Sequence, residues 1–329
     1  MAELTKYIGV DLGGTHLRAA VVDVSTGQVV DLIMVPTLAR EGHEAVIPRM
    51  AELIESVIKS SGTPKAEVGG VGIGVPGKLD LEQGLVLFLP NLPGHWTNVP
   101  LQQQIEQQVG LPSHLINDAR AMTFGEWKFG AGRGVKTVAC FTLGTGVGGG
   151  LVVNGKLHLE LGGTAGELGH QVIDADGPTC GCGSHGCLET YASGPAIAAA
   201  GIKAVVQGLT TRIGEMVNYD LNRITPEVVY QAALSGDAIA QEIYQRVGHY
   251  LGIAIANVIV IAGPRRVVIG GGVSQAGELL FEPIRRTVKQ NVFICSTEQV
   301  EIVPALLGIN AGLIGAAAWA CEAEKEAGR

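Results

Sequence analysis

The sequence predicts an α/β protein built from two related halves, and two observations carry this prediction. Apolar, β-branched runs alternate along the chain with segments of helical periodicity, as in folds that layer helices on sheets. In addition, the opening pattern returns from Thr137 onward. Both "YIGVDLGGTHLRAAVVDVSTGQ" and "TVACFTLGTGVGGGLVVNGKLH" read as apolar strand, glycine turn, apolar strand and turn. A repeat at this long spacing indicates two related halves rather than a short-period solenoid.

The first half is predicted to open with a hairpin around a glycine turn, followed by a second turn at residues 25–27. Helical spacing follows in "EAVIPRMAELIESVIKS", whose apolar side chains share one face. "VGGVGIGVPGKLD" is typical of a buried strand that runs into a Pro-Gly turn, and "LQQQIEQQVG" of a short helix that ends at Gly110. We then expect a strand in "PSHLIND" and a helix in "ARAMTFGEWKFG".

The second half continues from the repeated hairpin into a cysteine-rich loop. A helical region is expected from about Gly194 to Ala262. "RRVVIGGGVSQAGELLFEPIRRTV" predicts a strand, a glycine turn and a helix, and "INAGLIGAAAWACEAEKEAG" a closing helix of small residues. Strands and helices thus alternate in both halves.

Composition excludes several classes of protein. The 329 residues suffice for two domains, and a hydrophobic fraction of 47% argues against disorder. A net charge of −8 argues against nucleic acid or an anionic membrane as a partner, so an anionic ligand must be held by backbone N–H groups, a metal ion or local cations. We expect a cytoplasmic protein with reduced thiols, because no signal peptide is visible and the longest apolar stretch, about Leu251 to Gly263, is too short to span a bilayer.

Glycine loops follow apolar strands at three places: "DLGGT", "LGTGVGG" and "GGGVS". Each alone is typical of an ordinary turn, but together they offer N–H groups for phosphate, with Asp11 available to Mg²⁺ and Thr15 and Thr145 to phosphate oxygens. The sequence has no Walker-A loop. A formal G-x-G-x-x-G at Gly144 precedes a strand-like segment, which argues against a dinucleotide site. The combination predicts an ATP cleft.

Three of the six cysteines fall in "CGCGSHGC", with His170 ten residues before the first. Three thiolates and one imidazole suit a structural, tetrahedral Zn²⁺, with a buried or redox-active thiol cluster as the alternative. His185 lies inside the loop and competes with His170 as the fourth ligand. The remaining cysteines, in apolar segments, are predicted to be core residues: Cys140, Cys295 and Cys321.

Asn117 and Asp118 follow a predicted strand, where an α/β sheet presents its ligand groups. Two interpretations are equally good on the residues alone. The pair caps the next helix, or Asp118 supplies the carboxylate that accepts a hydroxyl proton during phosphoryl transfer.

Seven motifs occur in the order found in the ROK family of bacterial sugar kinases, so the chain resembles that family over nearly its whole length. The motifs are "GVDLGGTHLRAAVVD", "PNLPGHW", "LINDARA", "TLGTGVGGGLV", "GELGHQVI", "CGCGSHGCLE" and "VVIGGGVS". The resemblance is strongest to ATP-dependent glucokinases. It implies two α/β domains of the actin and hexokinase (ribonuclease H-like) type, hinged around an active-site cleft. On this basis we expect residues 1–118 with about 312–329 in one domain and 119–311 in the other.

The resemblance also implies roles for individual residues. Asp118 would be the catalytic base, and the sugar would be bound by Gly77, Asn91, Asn117, Asp118, Glu167, His170 and Glu189. Among the candidate zinc ligands the family pattern selects His170, which joins Cys180, Cys182 and Cys187. ATP and Mg²⁺ would contact Asp11, Gly13, Gly14, Thr15, Gly144, Thr145, Gly146, Gly148, Gly271, Gly272 and Ser274.

The implied reaction is transfer of the ATP γ-phosphate to the 6-hydroxyl of glucose, in a homo-oligomer such as a dimer or tetramer. Two alternatives remain. One is a kinase for another hexose, such as N-acetylmannosamine, N-acetylglucosamine, fructose or allose. The other is a sugar-sensing regulator that has lost turnover, although the retained Asp118 argues against it. The family's repressors carry a DNA-binding segment before the first glycine loop, and we expect none here because that loop begins at Asp11.

Overall fold

The computed structural model describes residues 4–89, 92–94 and 96–328, which form two compact units. Unit 1 comprises Met1–Lys136, Gly150–Gly166 and Ala305–Arg329, and unit 2 comprises Thr137–Gly149 and Glu167–Pro304.

The sheet of unit 1 has five strands in the order β3-β2-β1-β4-β7, and a separate hairpin pairs β5 with β6. β1 pairs antiparallel with β2, and β2 with β3, as the predicted hairpins require. β4 lies parallel to both β1 and β7. The strands are β1 (Lys6–Leu12), β2 (His16–Asp23), β3 (Gln28–Pro36), β4 (Val68–Val75), β5 (Lys78–Asp80), β6 (Leu85–Phe88) and β7 (Ser113–Asn117).

Helices cover both faces of this sheet, which explains why its central strands are almost entirely apolar. Ile8 and Val10 of β1 pack in one core with α1 and α2, while Tyr7 packs on the opposite face against the last helix. The helices of unit 1 are α1 (His43–Ser60), α2 (Leu101–Val109), α3 (Asp118–Phe129) and, at the end of the chain, α10 (Ala311–Glu326).

A second five-stranded sheet has the order β10-β9-β8-β11-β12, in which β11 runs parallel to β8 and β12. The predicted repeat is therefore present as a second hairpin, β8 and β9, at the same place in its sheet. The strands are β8 (Val138–Leu143), β9 (Val147–Val153), β10 (Lys156–Leu157), β11 (Arg266–Gly270) and β12 (Glu301–Pro304).

The helices of unit 2 pack around the longest of them, α8, which lies against α9. Within the described ranges, α8 is the one helix long and apolar enough to cross a membrane, and half of its most apolar window is buried, as in a core helix. It is longer than the predicted apolar stretch because it begins at Ala238. The helices are α4 (Glu189–Ala192), α5 (Gly194–Val206), α6 (Arg212–Met216), α7 (Pro226–Leu234), α8 (Ala238–Ala262) and α9 (Glu278–Asn291).

The unit bounds differ from the predicted domain bounds, 1–118 with about 312–329 and 119–311. Residues 119–136, 150–166 and 305–311 were predicted in the second domain and belong to unit 1, where α3 packs on α10. The fully buried Glu126 of α3 also accepts hydrogen bonds from the N–H groups of Leu306 (3.1 Å) and Leu307 (2.7 Å), which ties the segment before α10 to the same unit.

Candidate functional site

The end of β7 places Asn117 and Asp118 side by side. Asn117 caps α3, because its Oδ1 accepts the N–H groups of Ala119 (3.0 Å) and Arg120 (3.3 Å). Asp118 is the first residue of α3, is exposed, and accepts the Ala119 N–H at 2.9 Å. The capping interpretation is therefore right for Asn117, and it leaves Asp118 as an accessible carboxylate in the first turn of the helix.

Gly77 lies next to this strand end. Its φ of 87° is in the left-handed region, which favours glycine, and its carbonyl accepts the Asn117 Nδ2 at 3.3 Å. The structure thus brings together three of the predicted sugar contacts, Gly77, Asn117 and Asp118. A fourth, Asn91, lies outside the described residues.

Arg120 is a residue that sequence reasoning missed. It is fully buried, and its guanidinium donates to Asn117 Oδ1 (3.3 Å) and to the carbonyls of Ala165 (2.9 Å) and Thr164 (3.3 Å). A buried guanidinium must find such acceptors, and these fix both the cap of α3 and the loop that ends at Gly166. No signal distinguishes it, because "DARA" also fits a solvated helix start.

The first glycine loop, residues 11–15, joins β1 to β2. Gly13 donates its N–H to the His16 carbonyl (3.0 Å), and Thr37 bonds the carbonyls of Gly13 (2.6 Å, from Oγ1) and Thr15 (2.9 Å, from N–H). Thr37 is fully buried, whereas Gly14 and Thr15 are exposed. The buried Thr37 therefore anchors the loop, while Gly14 and Thr15 remain exposed to solvent.

Asp11, predicted as a contact of Mg²⁺, pairs with Arg18. The guanidinium meets one carboxylate oxygen, Oδ2, at 2.5 Å from Nη2 and 3.1 Å from Nε. Arg18 faces Asp11 directly across the hairpin, so the register of the predicted hairpin is the signal that would have found it. A cation bound by Asp11 would therefore share this carboxylate with Arg18.

The second glycine loop, residues 144–148, joins β8 to β9. The Gly144 N–H donates to the Gly146 carbonyl (2.9 Å), and the Gly144 carbonyl accepts the Gly194 N–H (2.8 Å). The Val147 N–H donates to Glu189 Oε2 at 3.0 Å. Thr145 at the tip is exposed, and Gly148 is half-buried.

The third glycine loop follows β11 and leads into a 3-10 helix, Gly272–Ala276. Ser274 is buried and donates its hydroxyl to the Gly271 carbonyl at 2.7 Å. This bond fixes the turn from within, and the contact of Ser274 with the nucleotide stays a prediction. Gly272 stands at the surface, with open space where a side chain would be.

The second and third loops share a cavity of about 800 Å³ in unit 2, within the size range of small-ligand sites. Gly144 and Thr145 line it from one side and Gly272 from another. Gln275 lines it from the 3-10 helix after the third loop. Further lining residues come from the helical region, where periodicity gave no sign of a ligand: Thr225, Glu227, Tyr230 and Tyr244.

The predicted zinc ligands converge in unit 2. The ligand atoms of His170, Cys180, Cys182 and Cys187 all lie within 4.8 Å of one another, and His185 is not in the group. The Cys182 and Cys187 sulfurs are 3.7 Å apart, and the Cys180 sulfur is 3.6 Å from His170 Nδ1. Two sulfurs bound to one tetrahedral Zn²⁺ at about 2.3 Å lie about 3.8 Å apart, so the residues fit this ion.

The thiol pKa values show what a metal would change. Burial, followed by hydrogen bonds with Cys182 and Cys180, raises the pKa of Cys187 to about 12. Burial also raises the pKa of Cys180, whereas the Ser184 N–H lowers that of Cys182. Cys180 and Cys187 therefore need a cation beside them to be thiolates at neutral pH.

Two carboxylates flank the cluster in sequence. Glu167 begins the turn that carries His170, whose N–H donates to the Glu167 carbonyl at 3.0 Å. Glu189 begins α4, and its Oε1 lies 3.8 Å from the Cys180 sulfur. Glu189 thus touches both the cluster and the second glycine loop.

The other cysteines are outside the cluster. Cys140 and Cys321 are buried, as predicted, but Cys295 is exposed, so its prediction as a core residue is wrong. It follows the end of α9, where Phe293 and Ile294 are also exposed, and the apolar run does not reach a core.

Comparison with known proteins gives the family. The model of the ROK family matches residues 7–323, and the chain belongs to this family. A glucokinase from Thermotoga maritima is 40% identical over 95% of this chain and 96% of its own length. The structure of a ROK family glucokinase from Streptomyces griseus, in complex with glucose and AMPPNP, matches with a TM-score of 0.81, 35% identity and coverage of 96% of this chain and 99% of that one.

The fold prediction is confirmed by these matches: the chain has the α/β fold of the ROK kinases, of the actin and hexokinase type. The family also has another branch. A xylose repressor from Caldicellulosiruptor bescii is 35% identical over 95% of this chain and 77% of its own length.

Proposed function

We propose that the protein is a glucokinase, which transfers the γ-phosphate of ATP to the 6-hydroxyl of glucose and releases ADP. The observation that carries the proposal is the accessible Asp118 carboxylate at the end of β7. Similarity to glucokinases over nearly the whole chain supports glucose as the acceptor.

Asp118 would accept the proton of the sugar hydroxyl as that oxygen attacks the γ-phosphorus. A primary alcohol is a poor nucleophile at neutral pH, so a carboxylate within hydrogen-bond reach lowers the barrier. Asn117, held by the Gly77 carbonyl and Arg120, would orient a neighbouring hydroxyl. Because these two hydrogen bonds hold the Asn117 amide in one orientation, it would favour one orientation of the sugar.

Glu167, His170 and Glu189 would bind the other hydroxyls. A carboxylate accepts two such hydrogen bonds well. His170 combines two roles without conflict, because Nδ1 faces the Cys180 sulfur and the other ring nitrogen then carries the proton that donates to a hydroxyl.

ATP would lie in the unit 2 cavity, with its phosphates at the second glycine loop and its adenosine near Gly271 and Gly272. The first glycine loop, through Gly13, Gly14 and Thr15, would offer N–H and hydroxyl groups to the transferred phosphoryl group. A Mg²⁺ ion that accompanies ATP would neutralise phosphate charge, and Asp11 is the carboxylate we expect to hold it. Zn²⁺ would be structural, held by His170 and the three cysteines.

A non-catalytic sugar sensor is the second candidate, favoured by the similarity to a xylose repressor. Such a protein would bind sugar without turnover. A kinase for another hexose differs only in the acceptor. In either case the protein is expected to be cytoplasmic and a homo-oligomer.

ADP release by the purified protein separates these candidates. We would measure kcat/KM with glucose, fructose, allose, N-acetylglucosamine and N-acetylmannosamine at saturating Mg·ATP, and expect glucose to be best. A higher value for N-acetylmannosamine would make the glucose assignment wrong and leave the kinase assignment standing. Sugar binding by calorimetry without any sugar-stimulated ADP release would favour the sensor.

A further inference from the structure

The second glycine loop is held in place by residues from both ends of the metal loop, which we define as residues 167–189. All of these residues lie in unit 2. The glycine loop has few side chains of its own with which to fix its shape, so the contacts that it receives decide where its N–H groups point.

Glu189 makes the central contact. One oxygen of its carboxylate, Oε2, accepts the Val147 N–H at 3.0 Å, and the other, Oε1, lies 3.8 Å from the sulfur of Cys180. A single side chain thus joins the metal cluster to the backbone of the glycine loop. A hydrogen bond to a carboxylate is about twice as strong as a neutral one.

Close backbone approach at two glycines makes this contact possible. A Cβ on Gly146 would lie 2.4 Å from Glu189 Oε2, and among the described residues beyond its two chain neighbours only Glu189 would lie within 4 Å. A Cβ on Gly169, next to His170, would lie 1.7 Å from the Val147 carbonyl oxygen. The loop therefore rests on both ends of the metal loop, at Gly169 and at Glu189.

We propose that Glu189 is a positioning residue that couples occupancy of the Cys₃His cluster to nucleotide binding. A metal ion fixes His170 and Cys187, which stand one residue from Gly169 and two residues from Glu189 in the chain, and the loop then presents its N–H groups to phosphate. The inference rests on the proposed function for the identity of the nucleotide. It goes beyond that function because it assigns to Glu189 an effect that occurs with no sugar present.

Nucleotide affinity without sugar is the direct test. Titration calorimetry with Mg·AMPPNP would compare wild type with Glu189→Ala, Glu189→Gln and Glu215→Ala, an exposed control on α6. We expect Glu189→Ala to weaken binding about tenfold, the effect of losing one charged hydrogen bond. Glu189→Gln should stay within about twofold, because its amide oxygen still accepts the Val147 N–H. Equal affinity of Glu189→Ala and wild type would overturn the proposal.

A double-variant cycle shows whether the effect passes through this contact. Gly146→Ala should weaken nucleotide binding in wild type, because its Cβ displaces the Glu189 carboxylate. In the Glu189→Ala background the same substitution should cost much less, because nothing else occupies that space. The same loss in both backgrounds would contradict the proposal.

Amide exchange separates failure of this inference from failure of the proposed function. Removing the metal with a chelator should speed exchange at Val147 in the ligand-free protein, and adding Zn²⁺ should reverse it. In Glu189→Ala, exchange at Val147 should be fast with or without Zn²⁺. If exchange follows these expectations but no nucleotide binds, the ATP assignment is wrong and the coupling stands. If nucleotide binds and the exchange rate at Val147 is the same with and without the metal, the coupling is wrong.

Discussion

The first and second glycine loops lie at the same place in two sheets of matching strand order, yet different side-chain contacts hold each of them. In the first loop, the buried Thr37 bonds the backbone of Gly13 and Thr15, and Arg18 pairs with Asp11. In the second loop, Glu189 accepts the Val147 N–H, and it belongs to a loop whose four clustered His and Cys side chains could hold a metal ion. A repeated topology therefore conserves the position of a loop but not its support.

This difference predicts separate functional roles for the two units. Unit 1 carries the proposed base and a loop that ordinary side chains hold in place. Unit 2 carries a loop whose geometry we propose to depend on metal binding at the Cys₃His cluster. Changes at the proposed base in unit 1 should therefore reduce turnover and leave metal content unchanged. Changes at the Cys₃His cluster or Glu189 in unit 2 should weaken nucleotide binding and leave the proposed base in place.

The largest effect is expected from Asp118→Asn. The amide keeps the shape of the side chain and removes the proton acceptor, so kcat should fall at least about 10²-fold, or about 3 kcal/mol in barrier. Turnover would be measured beside calorimetric titration with glucose, and zinc content should be unchanged. Asp31→Asn, which alters a carboxylate that bonds Ser60, is the matched control. Turnover of Asp118→Asn within a fewfold of wild type would favour a role in the helix start alone.

The second effect concerns the metal. Elemental analysis should find one Zn²⁺ per chain in wild type and none in Cys180→Ala/Cys182→Ala, because half of the ligand set is gone. This variant should be less stable and should lose sugar binding, and amides of the second glycine loop should exchange faster while those of the first do not. Cys295→Ala, which removes an exposed thiol, is the control. A fully active wild-type protein without zinc would refute the metal assignment.

A smaller effect is expected within unit 1 from Glu126→Gln. The buried carboxylate accepts three N–H groups, those of Ala131 (2.8 Å), Leu306 and Leu307. An amide offers one oxygen in place of two, so a buried donor loses its acceptor at a cost of about 1–3 kcal/mol. Thermal unfolding should show a lower Tm. Glu322→Gln, on the partly exposed ion pair with Lys128, should change Tm little, and equal shifts in both would contradict the assignment.

The smallest effect is expected on stability, from the N-cap residues of two helices, one of which is charged. Asn117 caps α3 without charge, whereas Asp237 caps α8 through the Ala240 N–H (2.8 Å) and also accepts the Arg212 N–H (2.6 Å). Burial raises the pKa of Asp237, but these N–H donors outweigh it and hold the pKa below the usual 3.8. The carboxylate therefore stabilises the fold above about pH 4, and this contribution is lost as pH falls through the folded-state pKa.

Asp237→Asn should consequently lower stability by about 1 kcal/mol at pH 7 and by less near pH 3. Urea unfolding at the two pH values measures this, with Asp220→Asn, the cap of an exposed 3-10 helix, for comparison. A difference between wild type and Asp237→Asn that grows as pH falls would have the wrong sign for this account.

Features with a periodic or spaced pattern could be predicted from sequence. Both hairpins follow from apolar runs around glycine turns. The convergence of His170 and the three cysteines follows from their spacing, because residues near in sequence need no tertiary information to meet. Ordinary helical spacing also gave α1, α2 and α3. The pattern itself is the signal in each case.

The buried charges could not be predicted. Arg120 and Glu126 occur in a helix sequence that reads as amphipathic, and only the packing of distant segments creates the acceptors and donors that they satisfy. The support of the second glycine loop by Glu189 joins residues 42 positions apart and leaves no local trace. Such contacts depend on tertiary structure, which sequence spacing does not report.

Identification of the product tests the central claim most directly. Purified wild-type protein would be incubated with Mg·ATP and glucose, and the phosphorus followed by NMR. We expect each ADP to be matched by one glucose 6-phosphate, with the phosphorus coupled to the protons of carbon 6. Phosphorus on another hydroxyl, or ADP matched by inorganic phosphate without sugar phosphate, would contradict the claim that this protein phosphorylates glucose at its 6-hydroxyl.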